Sequence, residues 1–226
     1  MARCGSTPVV RRRLRAWLRA VSRPPAAVIA VLATLLAGTA AGCGATSPAG
    51  AGSATGAIPS ALLREARPIG AGPRFQPPAR GPAIGRCRPR LGTRHGVHVE
   101  LFAADRVVVI AAGIGVRGPV RFSAGRISVA RCYGAMVTVE PTGVVLLRPG
   151  VRLTLGDLFR AWGQPLSADR AGPFAARRGD RVRVYTSGHR RPGDPARVPL
   201  TVHGEIVVEV GARVPPHTAY TFPPGT

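Results

Sequence analysis

The chain has 226 residues, 45% of them hydrophobic, with 29 Gly, 23 Pro and a formal charge of +22. The glycines follow no three-residue period, which excludes collagen, and the Val, Leu and Ile after about residue 95 exclude a wholly disordered chain. All 32 basic residues are arginine and asparagine is missing too, a skew that points to coding bias and weakens any step from charge to partner.

The N-terminus carries Arg11, Arg12, Arg13, Arg15, Arg19 and Arg23 with no acidic neighbour, then the apolar run Ala26 to Gly42. That run has 17 residues, the short end of what a spanning helix needs, and no other stretch approaches membrane length. A charged region, an apolar region and small residues before a cleavage point make a secretory signal over residues 1–42. Its ending, Ala40-Ala41-Gly42-Cys43, resembles the lipobox of bacterial lipoproteins. The resemblance implies that Cys43 is acylated, becomes the first residue and stays on the outer face of the cell membrane. A single uncleaved anchor helix is the alternative, and the Arg12-Arg13 pair leaves the choice between general and twin-arginine export open.

Of the four cysteines, Cys4 leaves with the signal and Cys43 is lipidated, so Cys87 and Cys132 remain. Two thiols left in an oxidising space are expected to pair, and closing that loop is worth about 4 kcal/mol in the chain-entropy model. A metal-binding pair would call for CxxC spacing, which is missing.

From Cys43 to residue 93 the composition is Ala, Gly, Pro, Ser and Arg with no periodic apolar face, which reads as a flexible linker. Residues 94–226 are expected to form one domain. Val97–Phe102, Arg106–Ala111, Arg126–Ala130, Met136–Glu140 and Val144–Leu147 read as strands in hairpin order. Leu155, Leu158, Phe159 and Trp162 then fall at helical spacing, with Thr154 as N-cap, Asp157 three residues on, and Gly163 and Pro165 as the stop. Arg181–Tyr185, Val198–Val202 and Glu205–Val210 read as strands again, turning at Gly193-Asp194 and His203-Gly204. The expected fold class is α+β: a mainly antiparallel β domain with one amphipathic helix, preceded by a signal peptide and a disordered linker.

Gly113-Ile-Gly115-Val-Arg-Gly118 matches GxGxxG after a strand, but Pro119 and VRFSAG follow where a dinucleotide site needs a helix, so these glycines read as a loop between strands. No nucleophile elbow or paired carboxylates are legible, and no catalytic residue or cofactor is assigned. His98 and Glu100 share a strand face, and with His203 they are the candidate metal ligands; His95, His189 and His217 could add to them only through the fold. A strand offering two donors does not complete a metal shell, so no metal site is assigned.

Residues 1–42 hold seven arginines and no acid, so the remaining chain keeps 25 arginines against 10 acidic residues, a charge of +15. Clusters at Arg86, Arg88, Arg90 and Arg94 and at Arg177, Arg178, Arg181, Arg183, Arg190 and Arg191 give a positive field. For a lipid-tethered domain the expected partners are the membrane, anionic lipid headgroups or acidic wall polymers; nucleic acid is not expected. Coding bias on a solvated face is the plain alternative.

The segments HVELFAADRVVVIAAGIGV, CYGAMVTVEPTGVVLLRPGVRLTLGDLFRAWGQPLS, RVRVYTSG, GDPARVPLTVHGEIVVEVG and FPPGT, covering roughly residues 95 to 225, resemble an uncharacterised family of exported or membrane-anchored actinobacterial proteins. TLGDLFRAWGQPLS is the most specific of them. The resemblance implies an HxHxH first strand, an HTH segment after the cysteine and one later histidine. Here only His98 keeps a histidine: Glu100 stands for one, Val137 and Val139 replace the HTH pair and Leu146 the later one. A family metal site would then be lost, leaving an apolar patch, and the family implies no established activity. The expected function is a cell-envelope lipoprotein with a non-catalytic binding or structural role. The alternative is an exported metal-binding protein using His98, Glu100 and later histidines.

Overall fold

A computed structural model describes residues 66–226. The signal segment, Cys43 and the first part of the linker lie outside the described residues. The strands are β1 (His95–Ala103), β2 (Arg106–Val108), β3 (Val116–Ser123), β4 (Arg126–Tyr133), β5 (Met136–Val137), β6 (Val144–Leu147), β7 (Leu166–Ser167), β8 (Arg170–Ala171), β9 (Phe174–Ala175), β10 (Arg183–Thr186), β11 (His189–Arg191) and β12 (Glu205–Val210). Among the described residues one α-helix, α1 (Leu155–Trp162), stands between β6 and β7. The fold is α+β with mostly antiparallel pairing, as the strand and helix periods imply. No helix among the described residues is long and apolar enough to cross a membrane.

The main sheet runs β11-β10-β12-β1-β6-β5, with β2 pairing the far end of β1. Among the described strand pairings only β1–β12 is parallel, in a register that sets His98 opposite Glu205 and Ala103 opposite Val210. Hairpin order therefore fails at the centre of the sheet, where the last strand slots between β10 and β1. Both central strands are nearly continuous in buried residues, as expected of strands covered on two faces.

On one face Val97, Val99 and Leu101 of β1, Ile206 and Val208 of β12, Val184 and Val145 form one cluster with Leu155, Leu158, Phe159 and Trp162 of α1. Thr154 caps the helix reciprocally: its hydroxyl accepts from the Asp157 amide and the Asp157 carboxylate accepts from the Thr154 amide. Gly163 ends it at φ 78°. A side chain at Gly81 would lie 2.1 Å from the Arg160 carbonyl, so only glycine lets the chain pass this close to the helix end.

That contact corrects the linker boundary. Residues 66–93, read as tether, are fastened along the domain: the Trp162 indole donates to the Pro77 carbonyl (2.9 Å), Arg80 N–H to the Trp162 carbonyl (3.0 Å) and Val109 N–H to the Phe75 carbonyl (2.8 Å). Arg88 and Tyr133 exchange backbone hydrogen bonds beside the Cys87–Cys132 disulfide, whose Cα atoms are 5.5 Å apart. Isolated backbone hydrogen bonds to distant residues leave no periodic trace in Gly/Pro-rich sequence, so composition alone read as freedom.

Two further strand readings shift. The stretch with Gly118 and Pro119 is not a loop but β3, exposed along nearly its whole length and paired with β4 through register shifts at Arg117/Val120 and Arg121/Phe122. Gly113, Gly115 and Gly118 all take positive φ, and a Cβ on Gly115 would sit 1.9 Å from the Met136 carbonyl and one on Gly118 2.6 Å from the Arg131 side chain, so the last two also serve close packing. Val198–Val202 makes only a single bridge, Thr154 to Pro199, closed by the Leu155 amide on the Val198 carbonyl (2.8 Å) and the Leu200 amide on the Leu153 carbonyl (2.9 Å).

Candidate functional site

The second face of the sheet carries the ionisable groups. Alternation puts His98, Glu100 and Phe102 of β1 there, and the parallel register adds Glu205, Val207 and Glu209 of β12. Residues 211–226 run over it. The Val214 amide donates to Glu209 Oε1 (3.2 Å), His217 Nδ1 lies 2.7 Å from Glu100 Oε2, and the Tyr220 ring stacks on His98 with centroids 3.8 Å apart. Phe222 lies on β1 because Gly96 has no side chain; a Cβ there would meet the ring at 2.6 Å.

His98 is the centre of this arrangement. Its Nδ1 is 2.7 Å from Glu205 Oε2 and its Nε2 is 3.1 Å from the Thr142 carbonyl oxygen. A carbonyl only accepts, so Nε2 carries a hydrogen, and a second proton lies between Nδ1 and the Glu205 carboxyl. The ring is therefore doubly hydrogen-bonded, either as an imidazolium on a carboxylate or as a neutral ring on a carboxylic acid. Glu205 is 1% exposed, and its Oε1 is buried with no partner. Burial pushes the Glu205 carboxyl above its usual range, and the hydrogen bond and charge of His98 pull it only part of the way back. Burial also raises the Tyr220 phenol, helped by the charges of Glu140 and Glu205.

One ligand atom each from His98, Glu100 and Glu205 falls within a 4.8 Å group, a spacing a metal ion could draw on. His203, the third sequence candidate, does not join: it sits at φ 55°, its Nε2 is 2.7 Å from the Thr226 carbonyl oxygen, and its ring lies against Phe222. His189 is exposed on β11 and bonds the Ser187 carbonyl. His95 begins β1 opposite Leu147. Val137, Val139 and Leu146 pack with Ile127, Ala130 and Tyr133 into an apolar cluster, so the positions where the resemblance implies histidines are filled by hydrocarbon. Sequence reasoning missed Glu205 and left His217 to the fold, which brings it onto Glu100. Glu205 arrives through a parallel pairing between distant strands, and the place of His217 is set in a segment without secondary structure, so neither position leaves a local signal.

A third pair completes the face: Arg183 bonds Glu209 (3.0 Å), Asp180 (3.0 Å) and the Gly211 carbonyl. The ionisable groups of this face are thus engaged in holding residues 211–226 and the strand ends. Comparison with family models, with curated proteins and with solved structures gave no match to this chain.

The raised Glu205 carboxyl carries a signed consequence. Folding favours its protonated form, so its contribution is fully present below the ordinary glutamate value of 4.5 and is lost as pH rises through the higher folded value. Glu205→Gln stays neutral throughout and keeps a partner for His98. Urea unfolding of the variant is expected to show a flatter fall in stability from pH 4.5 to 7 than the parent; an equal or steeper fall would contradict this reading.

Proposed function

We propose that the protein is exported, acylated at Cys43 and held on the outer face of the cell membrane, where a tether presents the α+β domain in a binding or structural role. The observation that carries this reading is the Cys87–Cys132 disulfide, which uses both thiols left after processing and suits an oxidising compartment. The arginine-rich start, the apolar run and the small residues before Cys43 support the same route. Two acyl chains anchor stably where one does not. A role other than catalysis is supported by the covered sheet face, where His98, Glu100, Glu205 and Glu209 are each engaged in internal hydrogen bonds. Anionic lipid headgroups and acidic wall polymers are the nearest partners for the excess arginine, at about 1 kcal/mol per residue close to a charged membrane.

A second reading, an exported metal-binding protein, is favoured by one observation, the convergence of His98, Glu100 and Glu205 with His217 hydrogen-bonded to Glu100. Against it stands the 2.7 Å separation of His98 Nδ1 and Glu205 Oε2, a hydrogen-bond distance. Two ligands of one tetrahedral ion with bonds of about 2.1 Å lie roughly 3.4 Å apart, so the pair would have to open.

Cys43→Ser is expected to release the domain from the membrane or to leave an unprocessed precursor, as read by fractionation and mass spectrometry. Unchanged size and membrane retention would favour the anchor helix. Equilibrium dialysis against zinc and copper, then elemental analysis after a chelator wash, is expected to leave the protein metal-free. Stoichiometric metal abolished by His98→Ala would promote the second reading.

A further inference from the structure

Away from the His98 cluster, residues 88–93 with Arg148 and Pro149 line an open cleft of about 550 Å³, within the size range of small-molecule sites. Its charges are all of one sign. Arg88, Arg90 and Arg148 line it, and Arg94 follows directly in sequence, only 4% exposed. Arg94 donates through Nε to the Leu91 carbonyl (2.8 Å) and through Nη1 to the carbonyls of Gly134 (2.9 Å) and Ala135 (3.1 Å). Arg148 Nη2 donates to the same Gly134 carbonyl (3.2 Å) and to that of Arg86 (2.7 Å). Two guanidinium groups are thus drawn onto one oxygen.

Among the described residues no carboxylate is paired with them. None of the ion pairs among the described residues involves Arg86, Arg88, Arg90, Arg94 or Arg148. The other basic cluster differs, since Arg183 is paired with Glu209 and Asp180, and Asp194 lines the cleft shared by Arg181, Arg190 and Arg191. Arg94 also keeps a buried Nη2 with no partner. Its guanidinium is lowered to about 10, first by burial and then by the charges of Arg148 and Arg88. Gathering like charges in a partly desolvated place costs free energy that a bound anion would return.

The scaffold holds this cluster still. The Cys87–Cys132 disulfide and the paired backbones of Arg88 and Tyr133 fix one wall. The Ala135 carbonyl, accepting from the Arg148 amide (2.8 Å), fixes the other. A guanidinium presents its donors in a planar fork that fits two oxygens of one oxyanion, which a lone cation does not.

We propose that this cleft binds a phosphoryl oxyanion, gripped by Arg88 and Arg148 with the buried Arg94 beside them as a fixed charge. The biological meaning rests on the binding role put forward above, but phosphate titration is blind to anchoring, so the two readings fail separately. A phosphodiester headgroup or wall polymer and free phosphate present the same chemistry to the cleft.

The test is calorimetric titration of the detergent-solubilised full chain with inorganic phosphate and, separately, with glycerophosphoglycerol, the soluble headgroup of an anionic lipid. Saturable one-site binding is expected, weakened roughly tenfold or more by Arg88→Gln and by Arg148→Gln, each of which removes a charged donor. Arg178→Gln, an equal charge change in the other cluster, should leave it intact. Arg88 has an exposed side chain, so its variant reads the site without disturbing the core. Tighter binding of the diester assigns a lipid or polymer source, and tighter binding of inorganic phosphate assigns the free ion. Absence of saturable binding of either, or equal weakening by Arg178→Gln, would overturn the proposal.

Discussion

The parallel pairing of β1 with β12 is the constraint from which the rest of the architecture follows. It joins residues 107 positions apart in the chain, His98 and Glu205, at the centre of the sheet. Closing so long a loop costs entropy before any contact repays it, so the central strands need strong reasons to meet. The apolar reason lies on one side, where Val97, Val99, Leu101, Ile206 and Val208 are packed with α1. The polar reason lies on the other, where each central strand supplies half of a buried His–Glu pair.

The two faces do different work. Apolar burial on the helix side is non-directional and supplies most of the stability, at about 25 cal/mol for each Å² removed from water. The pairs on the opposite face are costly to bury and gain only when partnered, so they contribute register more than net energy. A slip of one residue between β1 and β12 would part His98 from Glu205 and turn the side chains of the slipped strand to the wrong face. Residues 211–226 complete that second face: Tyr220 covers His98, His217 meets Glu100 and Val214 meets Glu209.

Local features were legible in the sequence, and long-range ones were not. The α1 helix follows from Thr154, Asp157, Gly163 and the spacing of its four apolar residues, all within ten positions. The strands of β1, β4, β6, β10 and β12 follow from alternation or β-branched runs. Hidden from sequence were the parallel pairing, the β3 strand masked by Gly118 and Pro119, and the fastening of residues 66–93, whose hydrogen bonds are isolated ones to distant residues such as Val107, Tyr133 and Trp162. The candidate site was half visible: His98 and Glu100 stand two apart on one strand, whereas Glu205 and His217 arrive through tertiary structure. The arginines of residues 86–94 were visible as charge, but their gathering on the Gly134 carbonyl depends on the disulfide that turns the chain back onto β4.

That β12 lies parallel to β1 with His98 against Glu205 is tested most directly by a double-mutant cycle, comparing the unfolding free energies of the parent, His98→Ala, Glu205→Ala and the double variant. Direct contact in a buried, doubly hydrogen-bonded pair predicts a coupling energy above about 1 kcal/mol, whereas additivity within about 0.5 kcal/mol would place the two side chains apart and contradict the central pairing.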